Sequence, residues 1–267
     1  MWQIAWRELK DRKWSLLAYC IGSFVLLWLY VATFLSSQNS TQALQELVKS
    51  YPKGLLDALG LSNLSMNTIE IYLNAKHFSL LWPLLAIILV MSRASNQIAG
   101  EIQSGTMGLL LSTPLTRLKI FAAKYLVGIV TIIVFCAVSL YGVIPLAAIY
   151  GIPTHVHTLH NTFLLCALFS LVIYSFTLAI SAWLSETSKV YGIVGAVLVA
   201  TYAANIIALV MDTYSWFKYW SVFYYFDTQD VLSGNPIMHR TLIVFVLVTL
   251  ASTIFAAWRF NSRDMSV

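Results

Sequence analysis

One segment of this 267-residue chain concentrates side chains that could do chemistry: residues 96–125, NQIAGEIQSGTMGLLLSTPLTRLKIFAAKY. It places the carboxylate of Glu101 ahead of the bases Arg117 and Lys124, between two long apolar runs. A carboxylate in a partly desolvated site is held by a cation or by the amide groups at a helix start. Arg117 and a helix start at Thr106 are the expected partners of Glu101, because both belong to this segment.

A second group of reactive side chains is the histidine cluster in HVHTLHN, which comprises His155, His157 and His160. Imidazoles at this spacing could collect a metal ion. No neighbouring cysteine or carboxylate completes a ligand set, so a solvated loop is the preferred interpretation. Metal binding by these three residues is the alternative.

Polar side chains also recur inside two apolar runs at helical spacing. In the first run they are Ser170, Tyr174, Thr177 and Ser181; in the second they are Thr201 and Asn205. Such stripes usually join one membrane helix to another through hydrogen bonds and close approach. The alternative is that they line a translocation path.

The sequence lacks the motifs of the common catalytic sites. It contains no G-x-x-x-x-G-K-[ST] phosphate loop and no H-E-x-x-H zinc motif. The stretch LSGNP at residues 232–236 superficially resembles part of an ATPase signature, and we interpret it as chance. We therefore expect no catalytic residue and no cofactor held by this chain.

The composition identifies the environment in which these residues must be positioned. Hydrophobic residues make up 59% of the chain, charged residues 10%, and the mean hydropathy is +0.77. A soluble domain carries about 25% charged residues, whereas a membrane-spanning helix needs about 20 mostly apolar ones. The sequence predicts an all-α membrane protein with one transmembrane domain over residues 1–267. The six predicted spans are residues 14–35, 78–95, 119–149, 161–184, 190–211 and 240–258.

The distribution of lysine and arginine predicts the orientation of these spans. Six spans place both termini on one side, together with the connections 93–124 and 185–189. This side carries 11 of the 16 bases. Cytoplasmic connections carry the excess of positive charge. We therefore expect a multi-pass protein of the cell membrane with both termini, and the segment 96–118, in the cytoplasm.

Three further segments are predicted to lie at the membrane surfaces. Residues 1–13 place Trp2, Ala5, Trp6 and Leu9 on one helical face and charges on the rest, which is typical of an interfacial helix; a simple charged anchor is the alternative. The loop 36–77 is expected to hold broken helices on the outer surface. Before the sixth span, an outer aromatic belt and a short helix dipping into the outer leaflet are equally supported. The aromatic residues concerned are Trp216, Trp220, Phe223 and Tyr224.

Within 96–118 the sequence predicts a helix, a turn and a second short helix. Gly105 can end the first helix by adopting the left-handed conformation. Thr106 is then placed to cap a short helix that contains Leu109–Leu111, and Thr113 with Pro114 is a helix-start signal for the third span. The leucines would be exposed, so they require a partner.

These residues resemble the membrane subunits of ATP-binding-cassette (ABC) transporters of the ABC type 2 permease family. The matching pattern is E-x-x-x-G-T, a leucine run, then P-x-x-R followed by a lysine, here Lys119 or Lys124. The positions that carry it are Ala99, Glu101, Gly105, Thr106, Leu109, Leu110, Leu111, Pro114 and Arg117. Six spans, inside termini and outer helices before the last span are similar to the family across essentially the whole chain.

The resemblance implies a function as the permease half of an exporter. Two such subunits would form the translocation path as a homodimer or heterodimer, each coupled through the segment 96–118 to a separate cytosolic ATPase that binds ATP and Mg²⁺. No nucleic acid partner is implied. The alternatives are an ion-coupled secondary carrier, which would usually need ionisable residues in the middle of its spans, and a membrane-bound enzyme or scaffold.

Overall fold

The computed structural model describes residues 2–38 and 68–263, and in this part the chain is helical with no strand. Six helices are long and apolar enough to cross a membrane, which confirms the prediction of an all-α membrane protein. We number them span 1 to span 6. In order they are Lys13–Phe34, Leu81–Gln103, Arg117–Ile149, Val156–Trp183, Thr187–Val210 and His239–Ser262. Residues 39–67 of the loop 36–77, where broken helices were expected, lie outside the described residues.

Span 2 extends beyond its predicted end at residue 95. The α-helix Leu81–Ser95 passes through a π-turn, Asn96–Gly100, and continues as Glu101–Gln103. The polar residues in this extension lowered the local hydropathy and made the span look shorter. They are tolerated because they bond to side chains of other helices, which the sequence alone did not reveal.

Span 3 has two parts, Arg117–Tyr141 and Val143–Ile149, which meet at Gly142. Pro145 explains the interruption, because it has no N–H to donate to the carbonyl of Tyr141. Span 4 is the continuous helix Val156–Trp183 and packs against spans 2, 3 and 6. Spans 2, 3 and 4 therefore form the buried centre, while spans 1, 5 and 6 expose most of their apolar surface.

Between spans 5 and 6 lie a 3₁₀ segment, Asp212–Trp220, and the short helices Val222–Tyr225 and Thr228–Leu232. Phe226, between the two short helices, is buried and stacks on Trp82 of span 2 at 5.9 Å and on Phe169 of span 4 at 4.2 Å. This ring contact ties the segment to the centre of the bundle.

The aromatic residues of this segment do not share one helix. The chain breaks at Ser221, so Trp216 and Trp220 lie in the 3₁₀ segment while Phe223 and Tyr224 lie in the next helix. Both tryptophans are exposed, as an aromatic belt requires. The single helix bearing all four residues was therefore wrong.

The two ends of the bundle are distinct. We call the end that holds Glu8, Lys124 and Arg263 the terminal face, since both described ends of the chain meet there. We call the other end, which holds Glu70 and Thr228, the opposite face.

Candidate functional site

The segment between spans 2 and 3 lies on the terminal face and folds largely as its sequence indicates. Gly105 adopts φ +72°, the left-handed conformation, and separates Glu101–Gln103 from the short helix Thr106–Leu111. Almost any other residue would be strained at this φ. Gly105 thus turns the chain so that a second short helix can project from the bundle.

The predicted cap at Thr106 and the predicted start of span 3 beside Pro114 were wrong, although a short helix does begin at Thr106. Thr106 does not cap the short helix, because its hydroxyl bonds instead to Ser104 Oγ at 3.0 Å. Thr113 donates to the carbonyl of Leu110 at 2.6 Å, and span 3 begins at Arg117 rather than beside Pro114. Residues 112–116 are therefore a connection without helix, which separates the short helix from span 3.

The leucine run divides between the interior and the surface. Leu109 is 73% exposed, Leu110 is half-buried, and Leu111 packs against the core. Met107 is buried and anchors the short helix to the bundle. The exposed apolar surface predicted for three leucines consequently centres on Leu109.

A buried lysine organises the terminal face. Lys124 of span 3 has no exposed surface, and its Nζ donates to Glu101 Oε1 at 2.7 Å and forms an ion pair with Glu8 of the N-terminal helix. Burying an ammonium group is costly unless charges and hydrogen bonds compensate for the lost water. Two carboxylates from two other helices supply that compensation.

Gln97 and Tyr174 extend this cluster into the bundle. Gln97 donates to the carbonyl of Lys124 at 2.9 Å and to Glu8 Oε2 at 3.3 Å, and it accepts from the Tyr174 hydroxyl at 2.6 Å. Spans 2, 3 and 4 and the N-terminal helix therefore meet in one hydrogen-bonded network. Sequence analysis missed Glu8 and Gln97, since nothing near them in the chain marks their partners.

The expected partners of Glu101 were wrong. Arg117 turns away and donates to the carbonyls of Asn261, at 3.2 Å, and Arg263, at 2.7 Å, at the end of span 6. Arg263 in turn donates to the carbonyl of Leu184, at 3.0 Å, after span 4. Burial and then the neighbouring Arg259 lower the pKa of Arg263, but a guanidinium remains charged.

Gln103 links the segment to span 5. Its Oε1 accepts from the backbone N–H of Thr187 at 3.1 Å and from the Thr187 hydroxyl at 3.0 Å, at the first residue of that span. A free N–H at a helix start requires such an acceptor. The segment 96–118 is therefore bonded to span 5 as well as to spans 3 and 6.

The polar stripe of span 4 lies inside the bundle. All four of its side chains are buried, and Ser181 Oγ both accepts from the N–H of Ala99, at 3.0 Å, and donates to the carbonyl of Ser95, at 3.1 Å. Tyr174 bonds to Gln97, and Thr177 bonds to a carbonyl of its own helix. These contacts favour a packing role, as between other membrane helices.

The two polar residues predicted in span 5, Thr201 and Asn205, differ in their burial. Thr201 is half-buried and bonds to its own helix, while Asn205 is buried with no partner for Oδ1. A role for either in translocation stays a prediction.

The three histidines do not converge. His155 contacts the buried carboxylate of Glu70, with Nδ1 at 3.2 Å, whereas His160 bonds to the hydroxyl of Tyr141 at 2.9 Å. His157 and His160 lie within the helix of span 4, which begins at Val156 rather than at residue 161. In the described part of the chain, no three histidines, cysteines or carboxylates are grouped for a metal.

Six apolar helices around a buried polar centre define an all-α, multi-pass membrane protein. The sequence model of the ABC-2 family transporter proteins matches residues 2–265, and the chain belongs to this family. It is therefore a membrane subunit of an ABC transporter, a class of transport subunit that works with ABC ATPase subunits. No curated protein sequence matches it significantly.

Proposed function

We propose that this chain is the permease subunit of an exporter and that the segment 96–118 couples it to a separate cytosolic ATPase. The ATPase would bind ATP and Mg²⁺, and this chain would contribute no nucleotide site. The terminal face, with both termini, would be cytoplasmic, because most of the bases lie there.

The observation that carries the proposal is the exposed apolar tip of the short helix Thr106–Leu111. Leu109 is 73% exposed at the tip, while Met107 beneath it is buried. Since a buried leucine side chain contributes about 1.5–3 kcal/mol, an apolar tip projecting from a polar face gains by being covered. A groove on a partner protein would cover it.

The contacts of the segment explain how movement of the short helix would reach the membrane helices. Glu101 connects to span 3 through Lys124, Gln103 connects to span 5, and Arg117 connects to span 6. Each connection is polar and directional, so displacement of the segment would alter the ends of three spans together. Such bonded networks can transmit a change between sites.

A second permease subunit would complete the translocation path. The large apolar surfaces that spans 1, 5 and 6 expose can be covered either by lipid or by another subunit. Within the described spans, Glu101 and Lys124 pair with each other near the terminal face instead of continuing as a relay through the membrane. This pairing favours an external energy source over ion coupling.

The test is Leu109→Asp, with Leu80→Asp as the matched control. Leu80 is a leucine of 51% exposure that precedes span 2 at the opposite face. We expect Leu109→Asp to weaken ATPase binding in a pull-down by about tenfold, or about 1.4 kcal/mol. Leu80→Asp should retain binding. Equal retention of the ATPase by both variants would contradict the proposal.

A further inference from the structure

A polar cavity of about 590 Å³ lies on the terminal face between the N-terminal helix and the end of span 2. Its walls carry charges of both signs, including Asp11, Arg12, Arg93 and Glu101. The proposed coupling function uses Glu101 but not Asp11, Arg12 or Arg93. Asp11 forms an exposed ion pair with Arg7 at 3.8 Å, whereas Arg12 and Arg93 have no role in the proposed coupling.

Arg93 and Glu101 of the cavity wall each hold one polar atom that is buried in the protein and has no hydrogen-bond partner. Arg93 is only 6% exposed; its Nη2 donates to the carbonyl of Glu8 at 3.2 Å, while its Nε has no partner. Glu101 uses Oε1 for Lys124, and its Oε2 has no partner. A buried polar atom without a hydrogen bond is costly, so a ligand carrying both an anionic acceptor and a cationic donor would stabilise both groups.

The cavity also continues towards apolar surface. A small recess shares Arg12 and Arg93 with the cavity and is otherwise lined in part by Leu9, Leu16 and Leu89. Arg93 belongs to span 2 and Leu16 to span 1, so the recess lies between these two spans. With a volume of about 10 Å³ the recess holds no acyl chain, but it shows that the charged cavity borders apolar side chains of the spans.

We propose that the cavity binds a zwitterionic phospholipid headgroup with a primary amine, of the phosphoethanolamine type, from the leaflet at the terminal face. The guanidinium groups of Arg12 and Arg93 would hold the phosphate, which suits their planar donors. The carboxylates of Asp11 and Glu101 would accept from the ammonium group. The proposal does not depend on coupling to an ATPase.

Native mass spectrometry of the purified protein tests the proposed lipid binding. The protein is held in mixed micelles that contain equal amounts of phosphatidylethanolamine, phosphatidylcholine and phosphatidylglycerol with identical acyl chains. We expect the first retained lipid to be phosphatidylethanolamine, enriched about tenfold, which corresponds to about 1.4 kcal/mol. A quaternary ammonium cannot donate a hydrogen bond, and a glycerol headgroup carries no cation. Equal retention of the three lipids would overturn the proposal.

Variants locate the bound lipid. Arg12→Gln should remove the enrichment, and Lys10→Gln, which loses the same charge from an exposed position two residues earlier, should keep it. Asp11→Asn should shift the preference from phosphatidylethanolamine towards phosphatidylglycerol. Equal loss in Arg12→Gln and Lys10→Gln would overturn the assignment, as would release of the lipid on adding the partner ATPase, which would make the cavity a protein-binding site.

Discussion

Lys124 shows how a single buried charge can determine the arrangement of several helices. Its ammonium group is fully buried and is compensated by Glu8 and Glu101, both of which remain partly exposed. Removing one member of such a group leaves the others incompletely paired. The three side chains therefore stabilise one another. Because Lys124 has two carboxylate partners, it still pairs with Glu8 when Glu101 is replaced.

Glu101→Ala should leave the protein inserted and bound to its ATPase while it reduces ATP-driven movement. The reason is that Lys124 keeps its pair with Glu8, whereas the segment loses its ion pair to span 3 and keeps there only the bond from Gln97 to the carbonyl of Lys124. The measurement combines the ATPase rate with the ATP-dependent distance between spin labels at Ser233→Cys in the two permease subunits. The native cysteines are all buried, which favours labelling at the new site.

Glu186→Ala is the control for this measurement. Glu186 pairs with Lys189 on the same face, but both side chains are exposed, so the pair contributes at most about 1 kcal/mol. Movement should persist in Glu186→Ala. If the ATP-dependent change in label distance is as large in Glu101→Ala as in Glu186→Ala, movement is not transmitted through the pair of Glu101 with Lys124.

His77 predicts a pH dependence of stability at the opposite face. It is fully buried beside the rings of Tyr30 and Phe78, and loss of water on burial lowers its pKa from 6.5 to about 4. The unfolded chain then binds the proton more tightly than the folded one. The free energy of unfolding should fall, by on the order of 3 kcal/mol, as the pH decreases from 6.5 towards 4.

Thermal unfolding in detergent between pH 7 and pH 4.5 measures this contribution. His77→Phe removes the titrating group while keeping a ring of similar shape, so its unfolding temperature should change less across that range than that of the unaltered protein. Identical pH profiles of the two proteins would show that His77 does not contribute.

At the level of whole helices, spans 3 and 4 depend on an unusually close approach. A Cβ placed on Gly128 would lie 2.0 Å from Tyr174 Cζ, so no larger residue fits without displacing that ring. Tyr174 is itself bonded to Gln97 of span 2 at 2.6 Å. The packing of these two spans and the polar network of the terminal face are consequently coupled.

Gly128→Ala should destabilise the bundle by about 1–3 kcal/mol, because overpacking forces Tyr174 from its position. The matched control is Gly192→Ala in span 5, where an added Cβ meets nothing within 4 Å. Unfolding in detergent should show a lower midpoint for Gly128→Ala and no loss for Gly192→Ala. Equal midpoints would mean that the Tyr174 ring can be displaced at no cost to stability.

Over the whole molecule, the two faces differ in charge. The terminal face carries bases such as Arg117, Lys189 and Arg259, whereas Lys76, Lys218 and Arg240 are the bases of the described opposite face. This asymmetry favours insertion with the terminal face in the cytoplasm. In that orientation, a cytosolic partner would be able to reach the apolar tip at Leu109.

Single cysteines at Ser185 and Ser233 test this orientation in intact cells. Both residues are exposed, Ser185 on the terminal face and Ser233 on the opposite face. An impermeant maleimide should label Ser233→Cys from outside and reach Ser185→Cys only after the membrane is opened. The reverse pattern would invert the topology and exclude the proposed contact with a cytosolic ATPase.

Local properties of the chain were predictable from the sequence alone. The six spans follow from apolar runs of sufficient length, and the turn at Gly105 follows from a conformation that other residues rarely adopt. The helix start predicted at Thr113 failed, because its hydroxyl bonds back to Leu110 and leaves the cap to Thr116. A helix-start motif does not indicate whether its hydroxyl will cap the next helix or bond back to the preceding one.

The tertiary structure decided which polar side chains meet. Glu8 and Lys124 are 116 residues apart, and Glu8 belongs to a helix that was predicted only to lie in the membrane interface with its charges outside the apolar face. Arg117, much closer to Glu101 in sequence, bonds to the end of span 6 instead. Pairing of this kind depends on how helices cross and on which side chains lose water together. Hydropathy and spacing along one helix carry no information about either.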